Sequence, residues 1–177
     1  MSWPEPVARV AAFLKGAGAE ARIEEFKTPT ASAADAAKAL GTSLDRIVKT
    51  LVFDCDGRIV AVLTPGDKRA DRANVARAAG TGRAQIVGAD DVERLTGFAP
   101  GAVAPFPLSR VTQAFADMSL LVHELVWIGA GSPRHLAALT PHELLRLARA
   151  EPADITENLP RVSSDPPDAT ATAADNI

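Results

Sequence analysis

An α+β domain is the fold class this sequence predicts. Short apolar strand patterns are mixed with short helical ones, without the regular strand–helix alternation of a doubly wound sheet. A run at residues 47–63, IVKTLVFDCDGRIVAVL, reads as two strands joined at Asp56-Gly57, a favoured two-residue hairpin turn. The chain has 177 residues, enough for one domain with a proper core and short for two.

Taken in order, Val7, Val10, Ala11 and Leu14 recur at i, i+3, i+4 and i+7, which predicts a helix ending at Gly16. ARIEEF is a short strand. TPTASAADAAKALG gives a loop and then a helix over roughly 33–40, stopped at Gly41. After the hairpin, DKRADRANVARAAG predicts a helix with Asp71 as N-cap and Gly80 as terminator. AQIV is a short strand, ADDVERLTG a short helix capped by Asp90, and APGAVAPFPL a loop punctuated by proline and glycine. Strands are expected near 110–116 and 124–129, leading into the loop GAGSPRH. Thr140-Pro141-His142-Glu143 is a capping box with proline at N1, opening a helix through about Arg149. Residues 1–150 are thus expected to form the domain. Residues 151–177 read as an acidic tail rich in Pro, Ala and Asp, largely disordered.

The charge distribution agrees with that division. Net charge is −3, yet the tail holds six acids against the single base Arg161, so residues 1–150 carry +2. A mildly basic body permits an RNA partner without requiring one. No run of ~18 apolar residues predicts a membrane span, and the N-terminus lacks a signal-peptide pattern. Cys55 is the only cysteine, which excludes an internal disulfide and suits a cytoplasmic location.

Lys49 is the residue that needs explaining. Ile47, Lys49, Leu51 and Phe53 share one strand face and Val48, Thr50 and Val52 the other, so the strand reads as central. An ammonium there snorkels to an edge, pairs with an acid or lines a pocket, where it binds phosphate or polarises a carbonyl. Two glycine-bearing stretches, TGFAPGAVAPF (96–106) and GAGSPRH (129–135), read either as ordinary turns or as backbone nests around an anion. Neither is a dinucleotide fingerprint, and no GxxxxGK loop is present. Cys55 has no base nearby in sequence. His123, His135 and His142 lack zinc-site spacing, so no metal or other cofactor is expected. His142 falls in a helix first turn facing solvent, and His135 is the one histidine kept as a candidate. Asp117 either pairs a cation or begins a turn. Lys68, Arg69, Arg72 and Arg77 form a solvated face or, if RNA binds, a phosphate contact.

The ordered set TASAADAAKALG, RIVKTLVF, LTPGDKRADRANVARAAG, TGFAPGAVAPFPL, ADMSLL and VWIGAGSPRHLAALTPHELLRL resembles the YbaK/EbsC family, also called the aminoacyl-tRNA synthetase-associated domain. That family is related to the editing insertion of bacterial prolyl-tRNA synthetases. The resemblance spans about residues 25–148. It implies a compact α+β domain with a mixed, curled, barrel-like sheet surrounded by helices. It also implies a free-standing trans-editing deacylase acting on misacylated tRNA at its acceptor end, with tRNA-Pro carrying a small or mid-sized non-cognate amino acid as the expected substrate and prolyl-tRNA synthetase as a candidate partner. Oligomeric state is left open.

On that resemblance Lys49 is the catalytic residue. Gly97, Pro100, Gly101, Val103, Gly129, Gly131, Ser132 and His135 would bind substrate, with Ala102, Ala104, Val103 and Gly131 setting its size. Lys68, Arg69 and Arg72 would contact tRNA phosphates. An activated ester needs only positioned water and charge stabilisation, consistent with the lack of a triad in the sequence. Two rivals stand beside this reading: a non-catalytic tRNA, nucleic-acid or protein binding module of the same fold, and a hydrolase of some other small ester or amide.

Overall fold

The computed structural model describes residues 2–30 and 32–157. They form helices α1 (Glu5–Gly16), α2 (Ala33–Leu40), α3 (Arg72–Ala79), α4 (Ala89–Thr96) and α5 (Pro141–Ala148). The strands are β1 (Arg22–Glu25), β2 (Val48–Cys55), β3 (Arg58–Pro65), β4 (Gln85–Ile86), β5 (Gln113–Asp117), β6 (Val126–Ser132), β7 (His135–Leu139) and β8 (Ala150–Ala153).

Local chemistry sets most of these boundaries. Asp71 accepts from the amides of Ala73 and Asn74 at the start of α3, and Gly80 ends it at φ 71°. Ser32 accepts from Asp35 N at the start of α2, and Gly41 ends it at φ 65°. Both caps satisfy helix-end groups that would otherwise lack partners. Asp90 does not cap α4, whose N-cap is Gly88; it lies in the first turn, where its charge complements the helix dipole. Thr140 caps α5 by accepting from Glu143 N, but the Glu143 carboxylate turns to Arg146 instead of closing the box.

Two sheets result. β1, β7 and β6 form one, in the order β1-β7-β6, and the other runs β4-β2-β3-β5-β8. The second is mixed: the β2–β3 hairpin is antiparallel, while β3–β5 and β5–β8 are parallel. This is the expected α+β class. The barrel-like detail is not seen as a closed barrel, because a single parallel bridge, Ile47 to Trp127, joins the sheets among the described residues. The larger core lies between the sheets and gathers Val10 and Leu14 of α1 with Val48, Leu63, Ile128 and Leu144. A second packs Phe53, Val60 and Val62 beneath Val75 of α3.

Two strands were not legible in the sequence. GAGSPRH, expected as a loop, is the end of β6, a tight turn and the start of β7. β8 crosses the domain boundary expected at residue 150. Ile155 is fully buried, and Asp117, itself buried, accepts from Ile155 N and Thr156 Oγ1. Asp117 also caps the following turn through Ser119 N, so it anchors the end of the described chain besides beginning a turn. Residues 158–177, the rest of the predicted acidic tail, lie outside the described residues. None of the described helices is long and apolar enough to cross a membrane.

Candidate active site

A cavity of about 340 Å³ opens where the two sheets part. β2 and the residue before it form its floor with Ile47, Val48, Lys49, Thr50 and Leu51, and α2 and its approach form one wall with Thr30, Ser32, Ala33 and Ala36. Gly101, Val103, Gly129 and Leu136 close the other side. The lining is mostly small or apolar, with one cation.

That cation is Lys49. It is half-buried, and its Nζ donates to the carbonyl of Lys68 at 3.3 Å. Among the described residues no carboxylate lies within ion-pairing distance of it. Burial pushes its pKa below the ordinary lysine value, the nearby Arg69 guanidinium adds to that, and Asp67 partly offsets both. β2 is covered at its far end, where Phe53 and Asp54 pair with β4, but β4 does not extend to Lys49. The lysine therefore occupies an otherwise apolar strand at the point where one strand edge opens onto the cavity.

The cavity brings together Lys49, Gly101, Val103 and Gly129 from the expected set. A Cβ on Gly129 would stand 3.3 Å from the Val103 carbonyl oxygen, so β6 and the 101–103 loop meet closely there. Gly101, at φ 82°, supplies a left-handed turn that a bulkier residue would strain.

The remaining expected residues lie elsewhere. Gly97 ends α4 at φ 76°, and its carbonyl accepts from Arg9 at 2.6 Å. Pro100 is exposed outside the cavity lining. Ala102 and Ala104 are core residues, which leaves Val103 as the one member of the expected size filter that lines the cavity. Gly131 faces the start of α1, where an added Cβ would meet Pro6 O at 2.7 Å. Lys68 is partly buried beside Lys49, while Arg69 and Arg72 are exposed. His142 is exposed as expected, and Cys55 is fully buried, with burial raising its thiol pKa. His123 faces Asp45 at 3.4 Å.

Ser132 and His135 do meet, but across the β6–β7 turn. The Ser132 hydroxyl accepts from Arg134 N and hydrogen-bonds His135 Nδ1. His135 is only 3% exposed, lies edge-on to Trp3, and does not line the cavity. Burial depresses its pKa, against the opposing pull of Glu25 and with a smaller contribution from Arg134. Because the unfolded imidazole binds protons more readily, the stability gained by keeping His135 neutral is complete above the unfolded value near 6.5. It is lost as pH falls from there through the folded pKa. His135→Asn should flatten the decline in thermal midpoint expected of the wild type as pH falls below about 6.5. Parallel acid limbs in the two proteins would remove His135 as its source.

Thr30, Ser32, Ala33, Ala36 and Thr50 were not foreseen as lining residues. The small-residue face of α2 was visible, but its juxtaposition with β2 depends on Gly66, where a Cβ would meet Leu44 O at 2.7 Å and the Ala33 Cβ at 2.9 Å. That approach draws α2 against the hairpin, and local pattern cannot reveal it.

A family model described as the aminoacyl-tRNA editing domain matches residues 27–147. YwhH of Bacillus subtilis, uncharacterized, is 32% identical over 69% of this chain and 78% of its own length. EbsC of Enterococcus faecalis, described as a candidate Cys-tRNA(Pro)/Cys-tRNA(Cys) deacylase, is 28% identical over 71% of this chain and 77% of its own. A proline–tRNA ligase of Nitratidesulfovibrio vulgaris is 35% identical over 58% of this chain, a match spanning 18% of the ligase. A crystal structure described as a candidate trans-editing enzyme for prolyl-tRNA synthetase superposes with TM-score 0.83. It is 34% identical and covers 89% of this chain and 100% of its own. The matched segment carries both the Lys49 strand and the loops that close over it, and the chain belongs to the aminoacyl-tRNA editing domain family, whose activity is aminoacyl-tRNA hydrolysis.

Proposed function

We propose that the chain is a trans-acting deacylase that clears a small or mid-sized non-cognate amino acid from tRNA-Pro. The observation carrying this reading is the half-buried ammonium of Lys49, free of carboxylate pairing among the described residues, in the wall of a cavity otherwise small and apolar. Water adds to the ester carbonyl, the bond to the ribose oxygen breaks, and the products are the free amino acid and a tRNA with its terminal hydroxyl restored. Lys49 stabilises the negative charge that develops on the carbonyl oxygen or anchors the acceptor end. Gly101 and Gly129 leave room for the substrate backbone. Lys68, Arg69 and Arg72 lead away from the cavity and contact the acceptor phosphates, and prolyl-tRNA synthetase is the natural donor of the misacylated product. A second hydrolytic site is useful because one methylene gives a synthetase only ~1–3 kcal/mol of discrimination.

The test is deacylation of tRNA-Pro carrying Ala, Cys, Ser, Thr or 2-aminobutyrate. Rapid loss of one or two members is expected, with prolyl-tRNA-Pro spared. Survival of every ester, together with tight binding of uncharged tRNA, would replace the hydrolase with a binding module.

A further inference from the structure

The hairpin ladder fixes which way each main-chain group of β2 points. Cys55 pairs with Arg58 across the two-residue turn, and Gly66 N donates to Ile47 O. In an antiparallel pair the bonded residues alternate, so Lys49, Leu51 and Phe53 direct their N–H and C=O groups towards β3. Val48, Thr50 and Val52 direct theirs to the opposite edge. Val87 N donates to Val52 O on that edge, which confirms the phase. β4 covers the edge at Phe53 and Asp54, and the bridge to Trp127 covers it at Ile47. Between them, among the described residues, no strand pairs with Thr50 on that edge, and it lines the cavity together with Gly129 and Val103. An N–H and a C=O of one residue, side by side on an open strand edge, form the template that a neighbouring strand residue normally fills.

An α-aminoacyl group has the complementary arrangement, with a carbonyl acceptor and an amine donor separated by one carbon. We propose, on the basis of the deacylase reading above, that the aminoacyl unit docks as a one-residue extension of the sheet on Thr50. The Thr50 N–H donates to the ester carbonyl oxygen, and the Thr50 carbonyl accepts from the substrate α-ammonium. This pairing reads the part common to all amino acids and leaves the side chain to α2 and Val103. It aligns the carbonyl beside Lys49, on the adjacent residue, so that water addition places the developing negative charge between a main-chain amide and an ammonium. The attacking water gives up a proton to solvent, the electron pair then returns as the bond to the ribose oxygen breaks, and that oxygen takes a proton from solvent.

Amide exchange and chemical shifts of the intact wild-type protein test this directly. In the free protein Thr50 should exchange at least about tenfold faster than Lys49 and Leu51, whose amides are in the ladder. A 3′-aminoacylamino-3′-deoxyadenosine carrying the amino acid of the fastest-cleaved panel ester should then slow Thr50 by about tenfold and shift its amide downfield. The matching analogue without the α-amine should bind about tenfold or more weakly. A Thr50 amide already protected in the free protein overturns the proposal. So does ligand that shifts Gly101, Val103 and Gly129 but leaves Thr50 unmoved, or equal binding of the two analogues. Those outcomes leave the deacylase reading standing, whereas failure of every panel ester removes both.

Thr50→Pro offers a second arm. Proline removes the proposed donor from an edge whose ladder bonds face the other way. With folding confirmed by thermal melting, its kcat should fall about a hundredfold, at least about tenfold further than that of Thr50→Ala. Equal loss in both variants would assign the effect to the side chain and overturn the main-chain role.

Discussion

Lys49→Met lowers single-turnover deacylation by about 10²–10³-fold, the range typical for removing one preorganised charge-stabilising donor. Methionine keeps most of the lysine stem, so the apolar packing along β2 survives while the ammonium is lost. Stability should move the other way. The folded pKa of Lys49 lies below its ordinary value, so the unfolded chain binds that proton more tightly. Holding the charged form therefore costs stability throughout the range below the folded pKa, and the cost fades as pH rises towards the unfolded value of 10.5. Thermal melting at pH 7 should place Lys49→Met at or above wild type, with the gap closing at alkaline pH. Wild-type deacylation, corrected for spontaneous hydrolysis, should decline as pH rises through the depressed pKa, and the variant should lack that limb. A variant with wild-type turnover would take Lys49 out of the chemistry. One that melts far below wild type would make it a structural residue.

That opposition between activity and stability is why Lys49 was legible in the sequence. A cation in a strand apolar on both faces breaks the local rule, and such breaks concentrate where function overrides folding. The hairpin, α2, α3 and α5 were equally readable, because caps and glycine stops act within a few residues. What could not be read depended on contacts distant in sequence. β8 is held by parallel pairing with β5, more than thirty residues earlier, and the Thr156 hydroxyl donates to Asp117 across 39 positions. The cavity is similar: Gly101 and Gly129 belong to it, whereas Gly97 and Gly131, in the same two motifs, do not line it. Glycine enrichment marks close approach without saying what approaches.

Gly131→Ala should expose that difference as a large loss of stability. The residue sits at φ 103°, in the register shift between Gly129 and Ser132, where an L side chain is strained by roughly 1–3 kcal/mol. Its Cβ would also lie 2.7 Å from Pro6 O and 2.9 Å from Val7 N. Those are main-chain atoms of α1, which buries Val7, Val10 and Leu14 and has no flexible tip to swing aside. Overpacking of this kind adds about 1–3 kcal/mol, so a total near 3 kcal/mol is expected, a fall of roughly 6–12 °C in thermal midpoint. Activity per folded molecule at low temperature should survive, because the disturbed contact is with α1 and not with the cavity. Gly129→Ala should do the reverse. Its Cβ would stand 3.3 Å from Val103 O, so the 101–103 loop has to give by only a few tenths of an ångström, and the methyl narrows the space beside the aminoacyl group. Its melting point should stay within a few degrees of wild type, in line with a change below ~1 kcal/mol, while the panel preference moves towards smaller amino acids. If Gly131→Ala instead melted like wild type and hydrolysed nothing, the second glycine stretch would belong to the substrate after all, and the close approach of α1 would have to yield without cost.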